Sequence, residues 1–222
     1  MERIQEFLTF LAAALSGMIG IVSQDISFIA LPLPPREPQA RVLFVGDIML
    51  DRSVRTAMET HGAEFIFSCI RTHLSASDFV VGNLEGPITP NPSRSVGSVV
   101  GSPDNFVFTF PEYVAPLLYR ENFRAVSLGN NHIYNFGEDG VHDTVNALEQ
   151  AHVGYFGEPG GRSVSQIDQG GVQFTFIGYN EFDAGWTEAT TIKQIQDARA
   201  LGRQPVVFAH WGDEYSPASE RQ

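Results

Sequence analysis

The sequence predicts an α/β protein built on parallel strands, and three observations carry that prediction. Short apolar runs at 42–45, 79–81, 125–128 and 205–209 are each bounded by turn residues, the pattern of strands buried on both faces of a parallel sheet. Segments with the helical period lie between them. Each run also ends in residues that can do chemistry: Asp47; Asn83 and Glu85; Asn130, Asn131 and His132; and His210. Ligands of open α/β sheets sit beyond the carboxyl ends of the strands, so a site is expected where these ends meet, on one parallel arrangement.

Composition narrows the class. A chain of 222 residues with 43% hydrophobic and 11% aromatic content can bury the core of one sizeable domain. A formal charge of −12 excludes a passive nucleic-acid binder, which needs a basic surface to neutralise phosphates. The lone Cys69 forms no intrachain disulfide and builds no cysteine zinc site; it reads as a small buried hydrophobe in an apolar helix over 65–74.

At the N-terminus, residues 7–22 carry no charge. They read as a signal or signal-anchor within a hydrophobic segment 1–29, although sixteen residues are short for a spanning helix and a buried helix stays open. Residues 30–40, with Pro32, Pro34, Pro35 and Pro38, read as an extended linker. That organisation leaves 41–222 as the domain and places it outside the cytoplasmic membrane.

In chain order, the first strand spans 41–46 and presents Asp47, which either meets a divalent cation or caps the next helix. Helices are predicted at 53–60 and 64–74. The second strand delivers Asn83 and Glu85. A Pro-, Gly- and Ser-rich loop at 87–105 then crosses the site face, with Arg94 as its one cation, either steering an anionic substrate or simply solvated. Residues 106–110 alternate Phe, Val, Phe, Thr, Phe, and a helix is predicted over 112–120.

The central strand ends at Gly129 and His132 follows, an imidazole whose ordinary pKa of about 6.5 suits it to proton transfer near neutrality. Past Gly137 a helix carries Val141, Val145 and Leu148 on one stripe, with Gly154 read as its closing glycine. His61, His73, His142 and His152 carry no motif and read as solvated. A strand at 174–179 and a helix at 187–201 lead to the strand that brings His210 to the site. The chain has no serine after Gly46-Asp47, no G-x-S-x-G elbow, no phosphate-binding G-x-x-x-x-G-K-[ST] loop and no dinucleotide G-x-G-x-x-G after a strand.

Four segments together resemble a known family: VGDIMLDR at 45–52, GNLEGPIT at 82–89, SLGNNHIYNFGEDGVHDTVNAL at 127–148 and HWGDEY at 210–215. They are similar to the bacterial capsule synthesis protein CapA (poly-γ-glutamate biosynthesis) family. The resemblance implies a metallophosphoesterase-like two-sheet sandwich flanked by helices, of which this chain is expected to be the N-terminal portion, truncated at its C-terminal side. It further implies divalent metal ions (Mn, Zn or Fe) held by Asp47, Glu85, Asn131 and His210. His132 would be the acid that protonates the leaving group; Asn83, Asn130 and, from its place in the loop rather than from the resemblance, Arg94 are expected to contact the substrate.

The implied substrate is an anionic polymer or phosphoester, the implied partners are other capsule-synthesis membrane proteins, and the implied location is membrane-anchored or exported. Two departures favour an alternative, a non-catalytic scaffold of a capsule-assembly complex with a decayed metal centre. Met49 stands where related metallophosphoesterases carry a histidine, and a soft neutral thioether is a poor ligand for hard cations. Asn83 stands near a position where they carry a bridging aspartate.

Overall fold

The computed structural model describes residues 37–161, 164–183, 185 and 187–212. The predicted N-terminal hydrophobic segment and most of the Pro-rich stretch lie outside the described residues. The domain begins at Pro38, inside the stretch read as linker, and Gln39 N–H already donates to Gly170 O at 2.9 Å.

Four parallel strands form the first sheet in the order β1 (Val42–Ile48), β2 (Phe79–Leu84), β3 (Phe123–Ser127) and β4 (Gly154–Phe156). All six residues of β2 are buried, which is why its sequence is a continuous apolar run rather than an alternation. Its pleat sends successive side chains to opposite sides. Val80 and Leu84 join a core built with the helices α1 (Arg52–His61), α2 (Arg71–Ala76), α3 (Val114–Arg120) and α4 (Gly137–Gln150). Phe79 and Val81 join the second core, between the sheets.

The second sheet has the order β5 (Val164–Gln169), β6 (Val172–Asn180) and β7 (Gln204–His210). β5 and β6 form an antiparallel hairpin closed by Gly170 and Gly171, with φ of 58° and 81°, the left-handed pair that a tight two-residue turn requires. The helix α5 (Glu188–Ala200) carries the chain over to β7, which pairs parallel to β6. Thr187 caps α5 reciprocally with Thr190.

The sheets face each other across phenylalanines: the Phe79 and Phe176 rings meet edge-on at 6.1 Å, and Phe156 stacks on Phe176 at 5.8 Å. With α5 against β6 and β7, the layers run helix, sheet, sheet, helix. This is the two-sheet α/β sandwich expected.

Beside the phenylalanine layer the backbones touch directly. A Cβ on Gly178 of β6 would lie 2.6 Å from Gly157 Cα, and one on Gly157 would lie 2.9 Å from Gly129 N. Gly157 also holds φ of 72°, so two separate constraints demand glycine there.

Several expectations are corrected. The strand ends do not belong to one parallel sheet: β7, which carries His210, lies in the second sheet. The helix predicted over 65–74 is a 3-10 turn (Ala63–Phe67) followed by the separate α2. Ser68 breaks it, its hydroxyl donating to Phe65 O at 2.7 Å in competition with the helical ladder. Cys69 at that break is exposed rather than buried.

Gly154 does not close α4. His152 takes the left-handed position at φ 59°, and Gly154 opens β4, where a Cβ would come within 3.0 Å of Arg124 O. β4 and β5 themselves had no sequence prediction, the first being three residues long and the second mostly polar, with Ser165-Gln166 and Asp168-Gln169 breaking any apolar alternation.

Candidate metal centre

The centre assembles at the ends of β1, β2, β3 and β7. Parallel registry sets the first three: Asp47 lies opposite Asn83, and Asn83 opposite Ser127, so the chain after β3 turns back over the carboxylates. Asp47, Glu85 and His210 each offer a ligand atom, and these atoms all lie within 4.8 Å of one another. Asn131 Oδ1 lies 3.0 Å from His210 Nε2, and Glu85 Oε1 lies 3.6 Å from the same nitrogen. Donors placed about 2.1 Å from one cation are separated by about 3.0 Å in octahedral and about 3.4 Å in tetrahedral arrangement. The chemistry and spacing of this donor set therefore fit a divalent ion.

Burial lowers the His210 pKa from its ordinary 6.5, with Asp47 opposing that shift and His132 adding to it. The lowered value favours the neutral ring at pH 7, so its 3.6 Å approach to Glu85 is not an ion pair. With Asn131 Oδ1 as acceptor Nε2 carries the hydrogen, and ligating a metal through Nε2 requires that hydrogen to move to Nδ1.

Asn83 is held between the two carboxylates, its amide NH2 donating to Asp47 Oδ1 at 2.8 Å and to Glu85 Oε2. Its oxygen accepts from Asn130 Nδ2 at 3.0 Å. Asn130, expected to contact substrate, is only 2% exposed. Its amide also donates to Leu84 O and accepts from the His132 N–H, tying the end of β2 to the turn after β3.

His132 is buried, with Nε2 4.0 Å from Glu85 Oε1 and its ring 4.2 Å from that of Phe108. Arg94 is not brought to the centre. It pairs with Asp104 of its own loop, and both side chains are exposed. His61, His73, His142 and His152 are all exposed, as expected, and none of them lies in the cluster. A cavity of about 490 Å3 beside Pro116 and Ala147 contains none of the cluster residues, so donor chemistry rather than concavity locates the site.

Sequence reasoning missed the residues that hold the site's surroundings. Asp51 is fully buried and accepts from Ser93 Oγ at 2.6 Å and Thr109 N–H at 2.9 Å, pinning the 87–105 loop beside β1. Arg52 begins α1 at φ 53° and places its guanidinium 4.6 Å from the centre of the Phe108 ring, whose other neighbour is His132. Asn135 bonds both Phe108 N–H and the His132 ring. The only signal for these was proximity to the motifs.

The fold and the site define a two-sheet α/β sandwich with a carboxylate, imidazole and amide cluster where the strand ends of both sheets meet. Residues 41–222 match the family described as "Bacterial capsule synthesis protein PGA_cap", and the chain belongs to that family. It is 25% identical over 206 residues to the capsule biosynthesis protein CapA of Bacillus anthracis, covering 83% of this chain and 49% of that protein. It is 27% identical over 190 residues to the PGA biosynthesis protein CapA of Bacillus subtilis (strain 168), covering 78% and 49%. The chain thus spans about half the length of these relatives. A hypothetical protein from Thermus thermophilus superposes with a TM-score of 0.41 at 19% identity, covering 77% of this chain and 58% of that one.

Proposed function

We propose that this domain is a metal-dependent hydrolase-like component of capsule or poly-γ-glutamate biosynthesis acting at the cell envelope. The observation that carries the reading is the convergence of Asp47, Glu85 and His210 from two sheets to within 4.8 Å, with Asn131 joining them. Asp47, Glu85, Asn131 and His210 hold a divalent ion, manganese, zinc or iron. Such an ion, when bound, polarises a phosphoryl or acyl oxygen and makes water a better nucleophile.

The chain's own residues do the rest. Asn83 keeps the two carboxylates turned towards each other, and Asn130 holds the turn that carries Asn131 and His132. His132 in its protonated form gives the Nε2 proton to the departing oxygen from a pocket walled by Phe108, where burial limits competition from water, and is left as a neutral ring with its remaining proton on Nδ1. The substrate class is an anionic phosphoester or polymer, which a chain of charge −12 binds through the cation rather than through basic side chains. Capsule-synthesis membrane proteins are the partner class. No described helix is long and apolar enough to cross a membrane, so envelope placement rests on the relatives' names and is tested by cell fractionation.

The deciding experiment measures metal content of the purified chain and hydrolysis of bis(p-nitrophenyl) phosphate with added manganese or zinc. Stoichiometric binding and turnover, both abolished in Glu85→Gln, support the reading. A chain that neither retains metal nor hydrolyses the ester is a scaffold instead.

A further inference from the structure

We propose that Asn135 is a positioning residue that fixes His132 in the Nδ1–H tautomer and thereby turns Nε2 towards Glu85 and the candidate metal centre. The inference deepens the proposed function, and only its kinetic consequence depends on that reading. It follows from one oxygen with two partners. Phe108 N–H lies 2.7 Å from Asn135 Oδ1. A backbone N–H can only donate, so the amide atom facing it must be the carbonyl oxygen and not the NH2. The same oxygen lies 3.2 Å from His132 Nδ1. An amide oxygen cannot donate, so the ring nitrogen must, and a neutral imidazole with its proton on Nδ1 has none on Nε2.

Local structure delivers this contact. Asn135 N–H donates to His132 O at 2.9 Å, closing a turn that folds the amide back over its own histidine. His132 N–H donates to Asn130 Oδ1 at 3.0 Å, which fixes the backbone from the other side. The Phe108 ring lies 4.2 Å from the imidazole at an interplanar angle of 34°, so the ring has an aromatic wall as well as a hydrogen-bonded edge. Turning the imidazole over would exchange the Asn135 bond for a carbon contact. An amide at this position orients the ring without adding a third negative charge beside Asp47 and Glu85. Because the same oxygen holds Phe108 N–H, the 106–110 segment and the imidazole are set by a single atom.

The test uses the full chain, 15N-labelled and stripped of metal, at about pH 8.5, above the ordinary histidine value of about 6.5. Long-range proton–nitrogen correlation reads which ring nitrogen carries the proton, and His132→Gln assigns the signals. The expected wild-type pattern is protonated Nδ1 and unprotonated Nε2, the reverse of the form an unconstrained histidine favours. Asn135→Leu is expected to move His132 to the Nε2–H form, and Asn135→Asp, which keeps an acceptor, to retain Nδ1–H.

With manganese or zinc bound, Asn135→Leu should lower kcat on the phosphodiester by about 10–100-fold, the usual cost of losing a group that orients a reacting imidazole, with little change in KM. Asn135→Asp should recover most of that loss. An Nε2–H pattern in the wild type, or a pattern unchanged in Asn135→Leu, overturns the proposal whether or not the chain hydrolyses anything. The Nδ1–H signature in a chain without hydrolysis upholds the positioning role and removes only the hydrolase reading. If Asn135→Leu does not fold, Asn135→Ser and the wild-type pattern decide.

Discussion

Strand β2 of the parallel sheet buries every residue, whereas β7 of the mixed sheet leaves Gln204, Val207 and Ala209 exposed and is paired on one side only among the described strands. Both deliver a donor to the same centre. Glu85 follows a strand clamped between two neighbours and two cores, and it is one end of a network of amides that runs through Asn83 to Asn130. His210 ends a strand with far less around it, and its link to the first sheet is the Asn131 side chain together with Glu85. The first sheet therefore carries stability and most of the site, while the second contributes one donor whose position depends on how the sheets pack.

Four measurements would break or sharpen that contrast, the largest effect first. Leu118→Ala, at a fully buried position of α3 against the parallel sheet, should cost about 2–5 kcal/mol in urea unfolding. Val207→Ala, at a 40% exposed position of β7, should cost under about 1 kcal/mol, and equal costs would erase the distinction. Glu85→Gln should weaken manganese or zinc binding, read by calorimetry, by more than the roughly 10–100-fold that loss of a merely orienting group costs. His210→Gln should weaken it too, with smaller loss of fold stability than Leu118→Ala.

Gly178→Ala should act as a wedge between the sheets, since its Cβ would meet Gly157 Cα at 2.6 Å. A cost of about 1–3 kcal/mol is expected, with metal affinity falling alongside. Affinity that survives the wedge would show that His210 does not depend on sheet packing.

The smallest effect concerns pH. The folded chain keeps His210 neutral below the value at which the unfolded chain, at about 6.5, takes up a proton. The unfolded state then binds more protons, so this residue's contribution to stability declines as pH falls through 6.5 towards the lowered folded value. Urea midpoints measured between about pH 7.5 and 5 should slope less steeply in His210→Gln than in the wild type.

Strands β2 and β3 were legible because burial on both faces writes itself as unbroken apolar runs. The strand-end rule pointed to the segments that carry Asp47, Glu85, Asn131 and His210, which the family resemblance then singled out as candidate ligands. The second sheet was harder to read. β5 is a half-exposed strand of mixed polarity, and β4 needs only three residues because β3 supplies its partner. Membership of different sheets is a tertiary fact: the run before His210 looks like a parallel strand and is one, but of β6. Arg94 looked functional because it was the lone cation of its loop, and sequence could not show that Asp104 folds back onto it. Asn135 was hidden for the opposite reason, since an asparagine in a turn has an ordinary conformational explanation.

The glycine contact of Gly129, Gly157 and Gly178 gives the sandwich a fulcrum. Elsewhere phenylalanine rings separate the sheets and can change rotamer, but here backbone meets backbone and nothing between them can yield. Rocking of one sheet on the other therefore turns about this point, and displacement grows with distance from it. Gly129 is next to Asn130 in sequence, and Gly178 lies two residues before Asn180, the cross-strand partner of His210. The donors thus sit on short lever arms, so thermal rocking alters their spacing less than it alters the far ends of the sheets. Amide exchange in β6 should accordingly be slowest around Gly178 and quicken towards Val172, with bound metal widening the difference.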